Sequence, residues 1–339
     1  MRIGFFLSNK GGSPLVVGLE RGLTALGHSV EPYRGLVEYD LVLVFNQCAH
    51  TTDYSYPLFP PPRQKIAFVD SGEYGYFSRL PEIVSAYSHA FADGAMTHDT
   101  KNRREQERLK EYLTGKSFPY FLREFSKYLV YPPAYHPIDY PLYALSICHQ
   151  APNREEYLGR SKDLFMSWGA SHPWRWDLTK RLRSCLARSE ILVIEENGTP
   201  RMPQFEYFSR TRAAKCSVSF DGYGSGSFRM TEVLVRCLLL QGPLSIRTRA
   251  PLVNGVTCIE YGIANDGMTF LGTDICDKLR EALMDAEGSY RIHEAGYYHC
   301  MEHLTEKATA KYLVETVEAH DWNKATSLTL DSASEVSGH

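Results

Sequence analysis

The chain has 339 residues, of which 43% are hydrophobic and 23% charged, with a formal net charge of -3. That length exceeds one ordinary core and suits two domains of roughly 150 to 170 residues each, in a soluble globular composition. No apolar run approaches the roughly 20 residues a membrane helix requires, and the charge balance supplies no overall attraction to nucleic acid, only room for a local basic face.

The chain opens with "MRIGFFLSNKGG", which enters a strand at residue 2 without the longer apolar segment and small-residue cleavage site of a secretory signal. A cytoplasmic location is the expectation. "RIGFFLS" reads as a strand, "NKGGSP" as a turn, and Leu15, Leu19, Leu23 and Leu26 recur at helical spacing before Gly27. "HSVEPY", "YDLVLVFNQ" and "KIAFVDSGEYG" follow as strands. Their apolar character is continuous rather than alternating, which points to a parallel sheet covered on both faces. The first 155 residues therefore read as one Rossmann-like domain, and the same grammar restarts in residues 156–320. There "KDLFMSWG" is a strand, "ASHP" a loop, "WRWDLTKRLRSCLARS" a helix, "EILVIEEN" a strand, "PQFEYFSRTRAAKC" a helix and "SVSFDG" a strand. "PLSIR" and "VTCIEYG" read as further strands, "DICDKLREALMD" as a helix, and Ser289 to His320 as one long helical tail. Residues 321–339 form a polar tail. The expected fold is α/β: two doubly wound domains facing across a cleft, with a C-terminal helix able to cross back to the first.

"SVSFDGYGSGSFRMTEVLVRCLLLQGPL" sets a strand against Gly222, Gly224, Gly226 and Ser227, then Arg229 and Glu232 at the head of a Leu-rich helix. Small residues let backbone approach a ligand closely, and a helix N-terminus offers unpaired N–H groups, a combination suited to phosphate. Arg229 brings a fork of donors to the same anion, and Glu232 lies one helical step away on the same face. The plain alternative is a tight turn with a surface Arg–Glu pair. The spacing is not GxGxxG, which argues against a nicotinamide-dependent oxidoreductase.

This segment resembles the donor-site signature of GT-B glycosyltransferases of the CgeB-like, family-1-like group, with its Arg, helix-opening Glu and later Gly at Arg229, Glu232 and Gly242. "SWGASHPWR" is similar to that group's first turn of the second domain, and "EGSYRIHEAGYYHCMEHLTEKATAKYLVE" to its closing helices. "PYFLREF" and the Pro-rich run ending in "YPLYALSI" are similar to its interdomain segment, so the resemblance spans about residues 118 to 315. What it implies is the GT-B fold and transfer of a sugar from a nucleotide-sugar donor, expected to be a UDP-sugar, to a hydroxyl acceptor. By the resemblance Glu232 contacts the donor ribose, while Arg229 and the glycine loop lie near the diphosphate. The turn at Gly169, Ser171 and His172 is a second phosphate candidate. Many retaining members carry a Glu eight positions before the ribose-binding one; here that position is Gly224, which leaves the stereochemical outcome open.

An inverting reaction needs a general base from the first domain. Asp70 is favoured, with Glu73 and His50 as further candidates; an Asp at a strand end also serves as a turn or helix cap. His299 and His303 stand at i, i+4, but no Glu follows His299 and no third ligand is assignable, so no metal is expected. Eight cysteines without a CxxC pair suggest neither a disulfide framework nor zinc. The expected partners are the nucleotide-sugar and an acceptor that is a glycan, a protein, a small molecule or modified DNA. A transferase acting on modified bases of phage DNA, and a non-catalytic sugar-nucleotide or glycan-binding protein on the same scaffold, stand as alternatives.

Overall fold

The fold is a computed structural model, described over residues 1–7, 14–34, 37–46, 65–70, 118–123, 125, 133–142, 150–169, 173–186, 189–194, 202–219, 228–244, 246–265 and 270–322. Six strands make the first sheet: β1 (Arg2–Leu7), β2 (Ser29–Pro32), β3 (Leu41–Asn46), β4 (Ile66–Asp70), β5 (Tyr120–Leu122) and β6 (Tyr135–Pro137). They run parallel in the order β2-β1-β3-β4-β5-β6. Along β3 successive residues alternate between faces, so Leu41, Leu43 and Phe45 join one buried layer while Val42 and Val44 join the other. Helix α1 (Pro14–Ala25) sends Leu15, Leu19 and Leu23 into the first of these layers. It stops at Gly27, whose φ of +83° is a left-handed backbone that glycine adopts without a Cβ clash.

The second sheet is also parallel, in the order β11-β10-β9-β7-β8, from β7 (Lys162–Gly169), β8 (Ser189–Ile194), β9 (Ala214–Ser219), β10 (Leu238–Gln241) and β11 (Ile259–Glu260). The short helix α2 (Arg154–Leu158) leads into it; α3 (Pro173–Cys185), α4 (Gln204–Ala213) and α5 (Phe228–Leu234) connect its strands. Two antiparallel strands, β12 (Ile263–Asn265) and β13 (Phe270–Thr273), precede helix α6 (Ile275–Met284), then α7 (Ala286–His303) and α8 (Glu306–Ala319). Leu178, Leu182, Ile275 and Leu279 cover one face of this sheet, and Met230, Val233, Tyr297 and Cys300 pack over the other.

Several sequence expectations give way to packing. The Leu-rich stretch expected to continue the α5 helix breaks after Leu234, and Leu238–Gln241 becomes strand β10, buried at every position. A run of four consecutive apolar or buried residues satisfies a central parallel strand as well as a helix, and the sheet neighbours β9 and β11 decide it. Of "PLSIR", Pro243, Leu244 and Arg247 lie outside any strand and Ile246 forms only a single β-bridge. The long tail divides at Leu304, because Thr305 begins a new helix with its hydroxyl accepting from the Ala308 amide at 3.2 Å. Cys185 of α3 and Cys276 of α6, which the scattered cysteine pattern left unpaired, form a disulfide with Cα atoms 6.0 Å apart.

Helix α8 follows the second sheet in the chain yet packs on the first: Ala310, Leu313, Val314 and Val317 share the buried layer of α1 and β3. Gly22 makes this approach feasible, since a side chain there would run into the Glu306 carbonyl. The chain beyond β10 also returns, with Asp139 accepting from the Arg249 amide at 3.0 Å and the Ala250 amide at 3.4 Å. The Arg249 guanidinium then donates to the Ala308 carbonyl at 3.2 Å.

Candidate functional site

Strand order places the site. β7 lies between β8 and β9; its helix α3 leads to β8 on one side, whereas α5 leads from β9 to β10 on the other. The connections diverge, so a crevice opens at the carboxyl ends of β7 and β9, where open α/β sheets take ligands. The two turns singled out in the sequence leave these two strands, one at Gly169 and one after Ser219. Ser171, His172, Gly222, Gly224, Gly226 and Ser227 lie outside the described residues, as do His50 and Glu73.

What the described residues bring together is Arg229, Glu232 and the end of β7. The Arg229 guanidinium stands 5.8 Å from the Trp168 ring centroid, which ties the head of α5 to the neighbouring strand. Trp168 is itself held by its indole N–H donating to Thr179 Oγ1 of α3 at 3.1 Å. Glu232, one turn on, is only 6% exposed. Burial raises its carboxyl to about 7, against the opposing pull of the Arg229 and Arg236 charges. Arg236 also donates to the Glu232 carbonyl at 2.7 Å, so the last turn of α5 is clamped from below. A carboxylate buried in this way is out of keeping with an exposed surface ion pair.

Two further polar groups beside this constellation had no sequence signal. Tyr207 Oη on α4 is buried without a hydrogen-bond partner among the described residues, and burial pushes that hydroxyl up to about 12. At the carboxyl end of β10, Gln241 donates to the Gly242 carbonyl at 2.8 Å while its Oε1 is buried and unpartnered among the described residues. The Tyr261 hydroxyl caps the end of β9, donating to the Ser219 carbonyl at 3.1 Å.

In the first sheet Asp70 is the final residue of β4, in register with Asn46 of β3 and Leu122 of β5. It therefore stands at the carboxyl edge of its sheet, the edge that carries function in such folds. His299 and His303 stack edge-on with centroids 4.9 Å apart on α7, and the His299 ring nitrogen Nε2 meets the Ala250 carbonyl at 3.2 Å. Among the described residues no group of three His, Cys, Asp or Glu side chains converges.

Two parallel Rossmann-like sheets joined by a returning C-terminal helix define the GT-B fold. Among solved structures the chain is similar to HepE of Anabaena in complex with UDP, at a TM-score of 0.51 and 9% identity, over 94% of this chain and 100% of that one. The β-glucosyltransferase of phage T4 aligns at a TM-score of 0.42 and 8% identity over 94% of this chain and 100% of that one. A UDP-forming α,α-trehalose-phosphate synthase from Burkholderia xenovorans aligns at 0.40 and 11% identity, covering 90% and 77% of the two chains. No protein-family model and no curated protein matches the sequence. The likeness to HepE is one of fold. Among the described residues no helix is long and apolar enough to cross a membrane.

Proposed function

We propose that the protein is a glycosyltransferase that takes a sugar from a UDP-sugar bound at the carboxyl ends of β7 and β9 and passes it to a hydroxyl acceptor held by the first sheet. The observation that carries this reading is the buried Glu232 one turn behind Arg229, at the switch point of the second sheet. In its ionised form Glu232 accepts hydrogen bonds from the ribose hydroxyls. Arg229, with the backbone N–H groups at the start of α5 and the turns at Gly169, Ser171, His172 and Gly222 to Ser227, meets the diphosphate charge. The choice of UDP follows the nucleotide bound by HepE, the neighbour in fold.

In the reaction the bond from the sugar's anomeric carbon to the diphosphate oxygen breaks and a bond to the acceptor oxygen forms. The departing diphosphate takes the electron pair, stabilised by Arg229 and the preorganised N–H groups. Asp70, in the inverting version, removes the acceptor proton. Catalysis without a metal and a cytoplasmic setting belong to the same reading. The test is calorimetric titration with UDP, GDP, ADP and NAD, followed by donor hydrolysis. Binding of UDP that disappears in Glu232→Ala, with transfer or hydrolysis lost in Asp70→Asn while UDP still binds, supports it. Binding of NAD alone, or UDP affinity indifferent to Glu232→Ala, overturns it.

A further inference from the structure

A second cavity, of about 340 Å³, lies at the other end of the second sheet. Its position follows from the chain: Arg160 stands just before β7, Ala214 opens β9 and Arg236 precedes β10, so these mark the amino-terminal edge, opposite the β7/β9 crevice. Arg160, Arg212 and Arg236 all line the cavity, against the single carboxylate of Glu156. His293 faces the same space but is neutral, since burial and then the Arg160 charge push it down to about 3.

The arginines are built in rather than draped on a surface. Arg160 Nη1 donates to the Ala214 carbonyl at 2.8 Å and the Arg236 carbonyl at 2.9 Å, with its side chain 7% exposed. Its Nε is buried and has no hydrogen-bond partner among the described residues. Arg236 lies 3.7 Å over the Phe208 ring and is 3% exposed. Arg212 is held by Glu156, at 2.7 and 2.9 Å, and by Gln150 at 2.8 Å. Glu156 is therefore engaged chiefly by Arg212 and stands 3.8 Å from Arg160 Nη2, so one carboxylate serves two arginines and the buried Arg160 Nε is left without a hydrogen-bond partner among the described residues. At the rim Phe205 presents a ring that is 81% exposed. A lone exposed phenylalanine is ordinary, but one beside a cationic cavity of this size supplies an apolar wall for a ligand's body.

We infer that this cavity is a binding site for a small organic phosphate, its anion received by Arg160, Arg212 and Arg236 and its ring or carbon frame laid against Phe205 and Phe208. Planar guanidinium forks favour phosphate oxygens, and the cavity has the volume of an ordinary metabolite site. Because Arg236 also holds the Glu232 carbonyl, an anion here acts on the same helix as the β7/β9 crevice. That coupling rests on the donor-site reading; the binding itself does not.

The test uses the full chain and phenyl phosphate, with inorganic phosphate and benzyl alcohol as partial probes. Arg160→Ala risks the fold, since it removes a staple between two strands, so the deciding variants are Ser209→Glu and Phe205→Ala. Ser209 is exposed on the cavity lining, and a carboxylate there repels an anion without touching the core. Phenyl phosphate is expected to bind wild type more tightly than inorganic phosphate does, and benzyl alcohol not to bind. Ser209→Glu should weaken phenyl phosphate by about tenfold or more, while keeping the wild-type melting temperature without ligand. Phe205→Ala should erase the advantage over inorganic phosphate. Absence of phenyl phosphate binding up to about 10 mM, or binding that Ser209→Glu leaves unchanged, overturns the inference. A response of UDP affinity to phenyl phosphate tests the coupling separately, and its failure leaves the cavity's binding result standing.

Discussion

Replacing Glu232 with Gln should stabilise the ligand-free protein at alkaline pH and abolish its grip on nucleotide. The carboxyl is raised from 4.5 to about 7 in the folded chain, chiefly by burial. At about 1.4 kcal/mol per pH unit, holding the ionised form there costs about 3 kcal/mol relative to an unfolded chain. Between pH 4.5 and 7 the native state binds the extra proton, so stability falls as pH rises through that window and levels off above it. The amide keeps the shape and removes the titration. The stability difference between variant and wild type should therefore be small at pH 4.5 and grow to about 3 kcal/mol by pH 8.5. That corresponds to roughly 6–12 °C in melting temperature for a domain of this size. Taking the difference between the two proteins cancels other titrating groups, Asp139 and His293 among them. Differential scanning calorimetry across the pH series measures it, and a difference that stays flat from pH 4.5 to 8.5 would refute the account of Glu232. Nucleotide binding should show the converse: wild-type affinity for UDP rises with pH up to about 7, since the ribose hydroxyls need the ionised acceptor, whereas the variant binds weakly at every pH.

Gly22→Ala should destabilise by about 1–3 kcal/mol, because the added methyl meets the Glu306 backbone and α8 must shift; a melting temperature equal to wild type would show that α8 yields freely. Asp139→Ala strips the acceptor from the Arg249 and Ala250 amides and should cost about 1–3 kcal/mol in urea unfolding at pH 7. Asp139→Asn keeps an acceptor and should lose less, since burial raises the Asp139 carboxyl to about 6 and keeping it ionised at pH 7 carries a cost that the amide does not. Equal losses in the two variants would contradict that ordering. Reducing agent should lower the melting temperature of wild type but not of Cys276→Ala, because the Cys185–Cys276 link closes a span of 91 residues and such links contribute about 2–4 kcal/mol; a non-reduced peptide map lacking that pair would remove the basis of the prediction.

The two-sheet architecture was readable because parallel strands carry continuous apolar runs and end in glycine or polar turns, as β1, β3 and β7 do. The Arg229–Glu232 pairing on one helix face was readable from spacing alone. Its burial was not, since nothing local distinguishes a surface Glu from a buried one. Leu238–Gln241 was misread for a related reason: four buried residues have no period, and only their neighbours in the sheet tell a strand from a helix. Tyr207 and Gln241 gave no sign because their interest lies in unpaired atoms, a property of the surroundings rather than of the residue. The union of Cys185 with Cys276 depends on α3 and α6 lying side by side on one sheet face, which spacing along the chain does not encode.

The path of α8 sets a schedule for synthesis. β6 ends at Pro137, but the helix that covers the layer beneath β1 and β3 begins only at Glu306. At about 5–20 residues per second a ribosome takes roughly ten to thirty seconds to make the stretch between. During that interval the nascent chain carries a first sheet with one apolar flank open, while the whole second sheet emerges behind it. The layer that α1 begins to cover is therefore completed only when the last helix has been made, after nearly all of the second sheet and its helices.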